Sequence, residues 1–158
     1  MKITELIEAQ TLNFEEYISK LPKEIVEKLR RSKQNPKWHP EGSVYNHLKI
    51  VFDKIKSRGK DWAIAAIFHD LGKLDTESEN ETGVHHYGHD KESMKYLDKY
   101  LHLFPFENKE FIYELVKEHM RIAKYTEGEM RKGKSANYEK HPYFKEILDF
   151  HKTDVDRE

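Results

Sequence analysis

Apolar residues recur at intervals of three and four along most of the chain, which is the spacing of amphipathic helices. Runs that alternate apolar and polar residues, as a half-buried strand would, are almost absent. The pattern therefore predicts an all-α fold with no substantial sheet. Helices are predicted over residues 2–10, 14–20, 23–32, 43–58, 60–71, 89–102, 108–123 and 141–156.

Three stretches interrupt the helical pattern. Residues 34–42 contain two prolines and a glycine, which favour a loop. Residues 75–88 are polar with two glycines and are also predicted to form a loop. Residues 126–138 are charged and contain two glycines, so we interpret them as a mobile loop, with a short helix as an open alternative. None of the three resembles an interdomain linker, and the chain is expected to form one compact domain.

Composition limits the classes of protein that fit. The 158 residues suffice for one hydrophobic core, and an aromatic content of 12% is too high for a disordered chain. The net charge of -1 gives no global reason to expect a nucleic-acid backbone as a standing partner. Because the chain has no cysteine, thiolate metal ligands and a cysteine nucleophile are excluded.

Hydropathy gives no sign of a membrane protein. No apolar run approaches the roughly 20 residues of a membrane-spanning helix. The first ten residues carry acidic side chains where a signal peptide would need an apolar stretch. We therefore expect a cytoplasmic protein that does not insert into a membrane.

Histidines fall on the apolar faces of several predicted helices. His47 lies on the apolar stripe of helix 43–58, and His119 completes the stripe of helix 108–123. His69 and Asp70 end the helix at 60–71, which is apolar nearly all round. Imidazole and carboxylate are ligands for divalent metals, and a shared cation offsets the cost of burying a carboxylate. The pattern predicts a metal site.

The last predicted helix adds a carboxylate to this set. Its apolar residues share one side with His151 and Asp154, whereas Asp149 and Asp156 fall on other sides. Periodicity therefore selects Asp154 as the candidate ligand of this helix. The apolar residues used for this assignment are Phe144, Ile147, Leu148 and Val155.

A less specific interpretation applies to each histidine taken alone. A histidine on an apolar face is more commonly a hydrogen-bonded core residue than a metal ligand. Several of them in one chain, together with an adjacent carboxylate, favour the metal. His102 and His141 are interpreted as surface residues, and the roles of four further histidines stay open: His39, His85, His86 and His151.

The order of these residues resembles the HD-domain metal-dependent phosphohydrolases, whose pattern is H…HD…D. His47, the pair His69-Asp70, and Asp154 match that pattern. The surrounding segments are most similar to HD domains attached to bacterial tRNA nucleotidyltransferases: WHPEGSVYNH, IAAIFHDLGK, YGHDKES, LVKEHM and HKTDVDR. The resemblance covers residues 36–158, which leaves residues 1–35 as an N-terminal helical extension.

The resemblance implies a single helical domain built around a metal centre. His47, His69, Asp70 and Asp154 would hold one divalent cation. His89 and His119 match the positions that, in some members, hold a second cation with the carboxylate of the pair as a bridge. One or two ions are therefore expected, and the donor set does not distinguish among Mn, Fe, Co, Ni, Zn and Mg.

The same resemblance implies a hydrolase that cleaves a phosphate ester of a nucleotide or of a nucleic-acid end. Metal-activated water would attack the phosphorus, with Asp70 as the catalytic bridging ligand. Lys73, in the turn after the His-Asp pair, would contact a phosphate oxygen, although a lysine there also suits a helix end. Arg121 and Arg157 are candidate phosphate-binding residues. The expected partner is a small phosphorylated substrate, and the oligomeric state stays open.

Three other functions fit the same ligands. One is a phosphodiesterase that acts on a cyclic nucleotide or an alarmone. Another is an HD-type oxygenase with a mixed-valence di-iron centre, since these ligands also hold iron. The third is a non-catalytic module that senses a nucleotide, which the retained metal ligands argue against.

Overall fold

The computed structural model describes residues 2–4, 7, 11–37 and 39–156. Most of the predicted helix at 2–10 therefore lies outside the described residues. The α-helices are α1 (Phe14–Ile18), α2 (Lys23–Arg31), α3 (Val44–Ile55), α4 (Lys60–Phe68), α5 (His89–Tyr100), α6 (Lys109–Glu118), α7 (Arg121–Thr126), α8 (Lys132–Tyr138) and α9 (Phe144–Val155). Short 3-10 turns follow α3, α4 and α5, at Lys56–Arg58, Leu71–Asp75 and Leu101–Leu103.

The prediction of an all-α fold is confirmed. The described part of the chain contains one small sheet, an antiparallel hairpin of β1 (Glu77–Asn80) and β2 (Gly83–His86). This hairpin replaces part of the loop predicted at 75–88, so that prediction was wrong there. Strand β1 is exposed at every position, and its polar sequence therefore gave no pattern that would indicate a strand.

Helix α4 forms the centre of the hydrophobic core. Every residue from Ala63 to Phe68 is buried, because α3 and α6 pack against α4 from different sides. The apolar stripe predicted for α3 is buried along its whole length: Val44, Leu48, Val51, Phe52 and Ile55. Within the described segments, no helix is long and apolar enough to cross a bilayer.

The N-terminal helices share this core. Phe14 of α1 packs edge-on against Phe52 of α3, with ring centroids 5.5 Å apart, and Leu29 of α2 is fully buried. Burial of large apolar side chains is the main favourable contribution to such packing. The division of the chain near residue 35 stays a prediction.

One predicted helix is interrupted, and one predicted loop contains a helix. The predicted helix at 108–123 is interrupted after Glu118, and a new helix, α7, begins at Arg121. The predicted loop at 126–138 contains α8, which buried Tyr138 anchors to the core. Two glycines in that segment had favoured a loop, but burial of one aromatic side chain outweighs their intrinsic preference.

The apolar face of α9 also differs from its prediction. Val155 is 48% exposed, whereas Phe150 is fully buried. Phe150 packs edge-on against His69, with ring centroids 5.3 Å apart. The face that covers the histidines is therefore rotated relative to the predicted one, although His151 and Asp154 still lie along the cleft described below.

The turn after α4 lies close against α5. A Cβ atom at Gly72 would overlap the carbonyl oxygen of His89 and would lie 2.5 Å from the backbone nitrogen of Ser93. The Ser93 hydroxyl accepts a hydrogen bond from the Gly72 N–H at 2.8 Å and donates one to the His69 carbonyl at 3.0 Å. Gly72 and Ser93 thus fix the His69-Asp70 turn against α5.

We expect Gly72→Ala to lower the free energy of unfolding by about 2 kcal/mol, because the two backbones must move apart to accept the methyl group. Urea denaturation followed by circular dichroism measures this change. Gly133→Ala is the matched control, since nothing lies within 4 Å of its Cβ position in α8. Equal stability of the two variants would contradict the close packing.

Candidate metal centre

Four side chains from two helices and the turn after α4 converge at the first cluster. His47 comes from α3, His69 and Asp70 follow α4, and Asp154 comes from α9. The His47 Nε2 atom lies 2.8 Å from Asp154 Oδ1 and 3.1 Å from Asp70 Oδ2. The His69 Nε2 atom lies 3.1 Å from Asp154 Oδ1. One ligand atom from each residue lies within 4.8 Å of all the others.

A second cluster forms on the other oxygen of Asp70. Asp70 Oδ1 lies 3.1 Å from His89 Nε2 and 3.3 Å from His119 Nε2. The two imidazole nitrogens are themselves 3.2 Å apart. Asp70 therefore directs one carboxylate oxygen to each cluster, which is the geometry of a bridging ligand.

The histidine rings are oriented so that Nε2 faces the clusters. The Nδ1 atoms of His69, His89 and His119 donate to backbone carbonyls, and a carbonyl oxygen only accepts. The partners are Ala66 O at 2.6 Å, His86 O at 3.0 Å and Val116 O at 2.6 Å. Each Nε2 therefore faces a carboxylate oxygen about 3 Å away. An imidazole nitrogen and a carboxylate oxygen at this separation share a cation, which is a proton when no metal is bound, so the site fits a metal that replaces that proton.

His47 is oriented by a carboxylate instead. Its Nδ1 donates to Glu41 Oε1 at 2.9 Å, and the same oxygen accepts from His39 Nδ1 at 3.0 Å. Burial raises the pKa of Glu41, but hydrogen bonds from His47, from His39 and from the backbone, together with the charge of His47, outweigh it and lower that pKa to about 2. Sequence analysis did not identify Glu41, because it lies in a loop where periodicity carries no information. The only indication of Glu41 in the sequence is that it lies two residues before Ser43, which caps the start of α3.

We expect Glu41→Gln to weaken metal binding about tenfold or more, because a carboxylate partner increases the basicity of a ligating imidazole. Titration with Mn²⁺, followed by electron paramagnetic resonance, measures the affinity. Glu107→Gln changes the same functional group at an exposed ion pair with Lys60 and serves as control. Unchanged affinity in Glu41→Gln would reduce Glu41 to a packing role.

The buried carboxylates of Asp70 and Asp154 are ionised, and a bound cation would neutralise their charge. Burial raises the pKa of Asp70, yet the charges of His69 and Lys73 hold it well below its usual range. Burial lowers the pKa of His69, but Asp70 and Asp154 outweigh it and raise the pKa to about 9. The ionised carboxylates thus hold a proton on His69. A bound metal replaces that proton, so its binding releases it to solvent.

Lys73 lies beside the first cluster. Its Nζ atom is 3.1 Å from Asp70 Oδ2 and donates to Gln34 Oε1 at 2.6 Å. Only 5% of the residue is exposed. A buried ammonium with two partners is more constrained than a lysine that only favours a helix end, which was the alternative interpretation of this residue.

The two predicted arginines are placed differently. Arg121 lies farther out, along the cleft, 3.6 Å from Glu118 and 4.9 Å from the ring centroid of Tyr138. The structure therefore does not bring its guanidinium into the ligand clusters. Arg157 lies outside the described residues.

A cleft of about 1290 Å³ opens over both clusters. Asp70, His89, His119 and Asp154 all line it, and so does Lys73. The volume exceeds the roughly 300–1,000 Å³ of a pocket for a drug-sized ligand. The four histidines whose roles the sequence left open also line it: His39, His85, His86 and His151.

A separate group of possible ligands does not fit a metal. Glu114, Glu118 and His141 lie close enough together to share an ion. The Nδ1 atom of His141, however, accepts a hydrogen bond from the Tyr143 N–H at 3.0 Å. Its Nε2 therefore carries the proton, which it donates to Glu114 Oε2 at 3.0 Å. With no free lone pair on Nε2, this group forms a structural hydrogen-bond network.

Comparison with known proteins identifies one family. The family model of the HD domain matches residues 39–141, which is most of the chain. The matched range includes His47, the pair His69-Asp70, His89 and His119, and it ends before Asp154. No curated protein and no solved structure gives a significant match.

Proposed function

The chain belongs to the HD-domain family, and from this premise we propose that it hydrolyses a phosphate ester of a nucleotide or of a nucleic-acid end. Members of the family are generally metal-dependent hydrolases of a phosphohydrolase superfamily. The observation that supports the reaction best is Asp70, whose two oxygens face two separate groups of histidines.

The proposed ligand sets follow the two clusters. His47, His69, Asp70 and Asp154 would hold one divalent cation, and Asp70, His89 and His119 a second. When bound, such ions polarise a phosphoryl oxygen and lower the pKa of a coordinated water towards neutrality. Asp70 would orient the two ion positions relative to each other. Donors of this kind suit Mn, Fe, Co, Ni, Zn or Mg.

Lys73 is the proposed contact to the phosphate. Its ammonium already lies 3.1 Å from Asp70, so a phosphate over the centre falls within its reach. The Gln34 Oε1 atom accepts a hydrogen bond from the Lys73 ammonium, which fixes the direction of the remaining N–H groups. Arg121 is proposed to bind substrate farther along the cleft. Arg157 is proposed for the same purpose only because it follows Asp154 in the sequence.

We expect Lys73→Ala to lower kcat/KM for a phosphate ester about 100-fold, the size of a lost charge-assisted hydrogen bond. The variant should keep its metal, or bind it more tightly, because a positive charge has been removed beside the cation site. Lys91→Ala, an exposed change on α5, is the control. Loss of metal in Lys73→Ala would contradict the assigned role.

Finer features belong to the same proposal. The five segments around the ligands resemble HD domains attached to bacterial tRNA nucleotidyltransferases, which supports a nucleic-acid end as substrate. We propose residues 36–158 as the HD domain and residues 1–35 as its helical extension. We also propose that the protein acts in the cytoplasm.

One experiment tests the function. The protein is stripped with a chelator and resupplied with each divalent metal in turn. Phosphate release is then followed on nucleotide monoesters, cyclic nucleotides, an alarmone and oligonucleotides with terminal phosphates. We expect activity to be lost on stripping and restored by at least one transition metal. Oxygen consumption with iron and no phosphate release would favour the oxygenase, and nucleotide binding without turnover would favour the sensor.

A further inference from the structure

The cleft continues away from the metal centre between two unlike walls. One wall is formed by α7 and α8, and Arg121, Lys124, Arg131 and Lys134 line the cleft there. The other, the hairpin wall, is the end of the β-hairpin, where Tyr87 lines the same cleft and is 71% exposed. The proposed function uses neither wall beyond Arg121.

The α7–α8 wall carries positive charges available to a ligand. Lys124, Arg131 and Lys134 have no ion-pair partner within the described part of the chain. Two acidic residues, Glu127 and Glu129, lie on the same wall, so its four cations outnumber its acidic residues by two. Asp70, Asp90 and Asp154 also line the cleft, so the excess of cations is confined to the α7–α8 wall. Anions are therefore expected to bind along it.

His151 connects the metal centre to this wall. It lies one turn before Asp154 on α9, and its Nε2 lies 3.4 Å from the Thr126 hydroxyl at the end of α7. That hydroxyl donates to the Ala123 carbonyl at 3.0 Å, so it accepts from His151 Nε2–H. The Nδ1 atom is then an acceptor, and it is buried without a partner. A buried unpaired acceptor is costly, so a hydrogen-bond donor that reaches this edge of the cleft would be stabilised by His151.

The hairpin wall offers an aromatic surface. Tyr87 stacks on His85, with ring centroids 5.2 Å apart and an angle of 13° between the planes. The ring is thus supported on one side while most of the residue is exposed to solvent. An exposed ring in the same cleft as several cations is the combination that binds single-stranded nucleic acids through base stacking and phosphate contacts.

We propose that the cleft binds the end of a single-stranded nucleic acid. The terminal phosphate ester lies over the metal centre, the following phosphates lie along the α7–α8 wall, and a base stacks on Tyr87. The volume of the cleft supports this assignment, since about 1290 Å³ exceeds the roughly 300–1,000 Å³ of a pocket for a drug-sized ligand. The inference rests on the proposed function for the phosphate at the centre and extends it to the rest of the substrate.

The test measures binding of the full chain loaded with Mn²⁺. Uridine oligonucleotides of one, two, four and eight residues, each with a terminal phosphate, compete with a fluorescent octamer, and anisotropy reports displacement. We expect affinity to rise at least tenfold from the mononucleotide to the octamer. In the double variant Arg131→Ala/Lys134→Ala, the octamer should bind at least fivefold more weakly. The slope of log affinity against log salt should fall by about 1.4, because each phosphate contact contributes about 0.7.

Matched controls distinguish an effect of the α7–α8 wall from a general effect of removing positive charge. Lys132→Ala removes an exposed lysine of the same helix that does not line the cleft, and it should bind the octamer like the unchanged protein. Tyr87→Ala should weaken octamer binding at least fivefold, whereas Tyr87→Phe should restore it, since stacking needs only the ring. Bound manganese is measured in every variant and should stay constant.

The outcomes distinguish this inference from the proposed function. Equal affinity for all lengths, or an equal loss in Lys132→Ala, would overturn the single-strand inference even if the mononucleotide is still hydrolysed. A nucleoside triphosphate that competes as well as the octamer would overturn it in favour of a polyphosphate. Binding that rises with length and falls in the wall variants would uphold it, even if no metal supports release of phosphate and the proposed function fails.

Discussion

Asp70→Ala is expected to remove metal from both clusters and to lower phosphate release by roughly a thousandfold or more. Asp70 is the only residue shared by the two clusters of described residues. Its loss takes away one of four ligands at the first cluster and one of three at the second. Inductively coupled plasma mass spectrometry of the purified variant measures the metal, and phosphate release measures the activity.

Two further variants make this result interpretable. Asp70→Asn keeps the shape of the side chain and should also lose the metal, which guards against a folding defect in the alanine variant. Asp53→Ala removes an exposed carboxylate that pairs with Lys49, and it should keep both metal and activity. A folded Asp70→Asn protein with its full complement of metal would refute the bridging role.

His119→Ala is expected to reduce the number of bound divalent ions from two to one. His119 belongs only to the second cluster, where its Nε2 lies 3.3 Å from Asp70 Oδ1. The first cluster keeps all of its ligands in this variant and should still bind one ion. Titration with Mn²⁺ gives the stoichiometry directly, and activity should fall because hydrolysis in the proposed function uses both ions.

Asp154→Ala is the reciprocal variant, since Asp154 belongs only to the first cluster. It should retain an ion at Asp70, His89 and His119, with a spectrum different from that of His119→Ala. His102→Ala, on an exposed 3-10 turn, controls for the loss of a histidine as such. A stoichiometry of one in the unchanged protein, with no effect of His119→Ala, would reduce His89 and His119 to a supporting role.

The parts of the fold that periodicity could predict are those with a buried face. Helix α3 has one continuous apolar stripe, and α4 is apolar nearly all round. The spacing of apolar residues alone therefore predicted both helices. Most ligand positions followed from the same pattern, because a histidine on a buried face stands out against its apolar neighbours, whereas His89 was implied only by the family resemblance. The structure brings together all six candidate ligands that the sequence selected: His47, His69, Asp70, His89, His119 and Asp154.

Other features depend on contacts that no local pattern records. The β-hairpin is held by backbone hydrogen bonds between polar residues, and α8 is held by burial of Tyr138. The break after Glu118 allows His119 to end one helix while Arg121 begins the next. Glu41 orients His47 from a loop six residues away, a pairing that only the folded chain creates. Sequence periodicity identifies buried faces, whereas these features arise from tertiary packing.

The most direct measurement is an anomalous diffraction map of crystals grown with Mn²⁺, collected where manganese scatters anomalously. We expect two peaks on either side of the Asp70 carboxylate, one among His47, His69 and Asp154 and the other between His89 and His119. A map with no peak at either cluster, from crystals that contain manganese elsewhere, would contradict the assignment of this site as a metal centre.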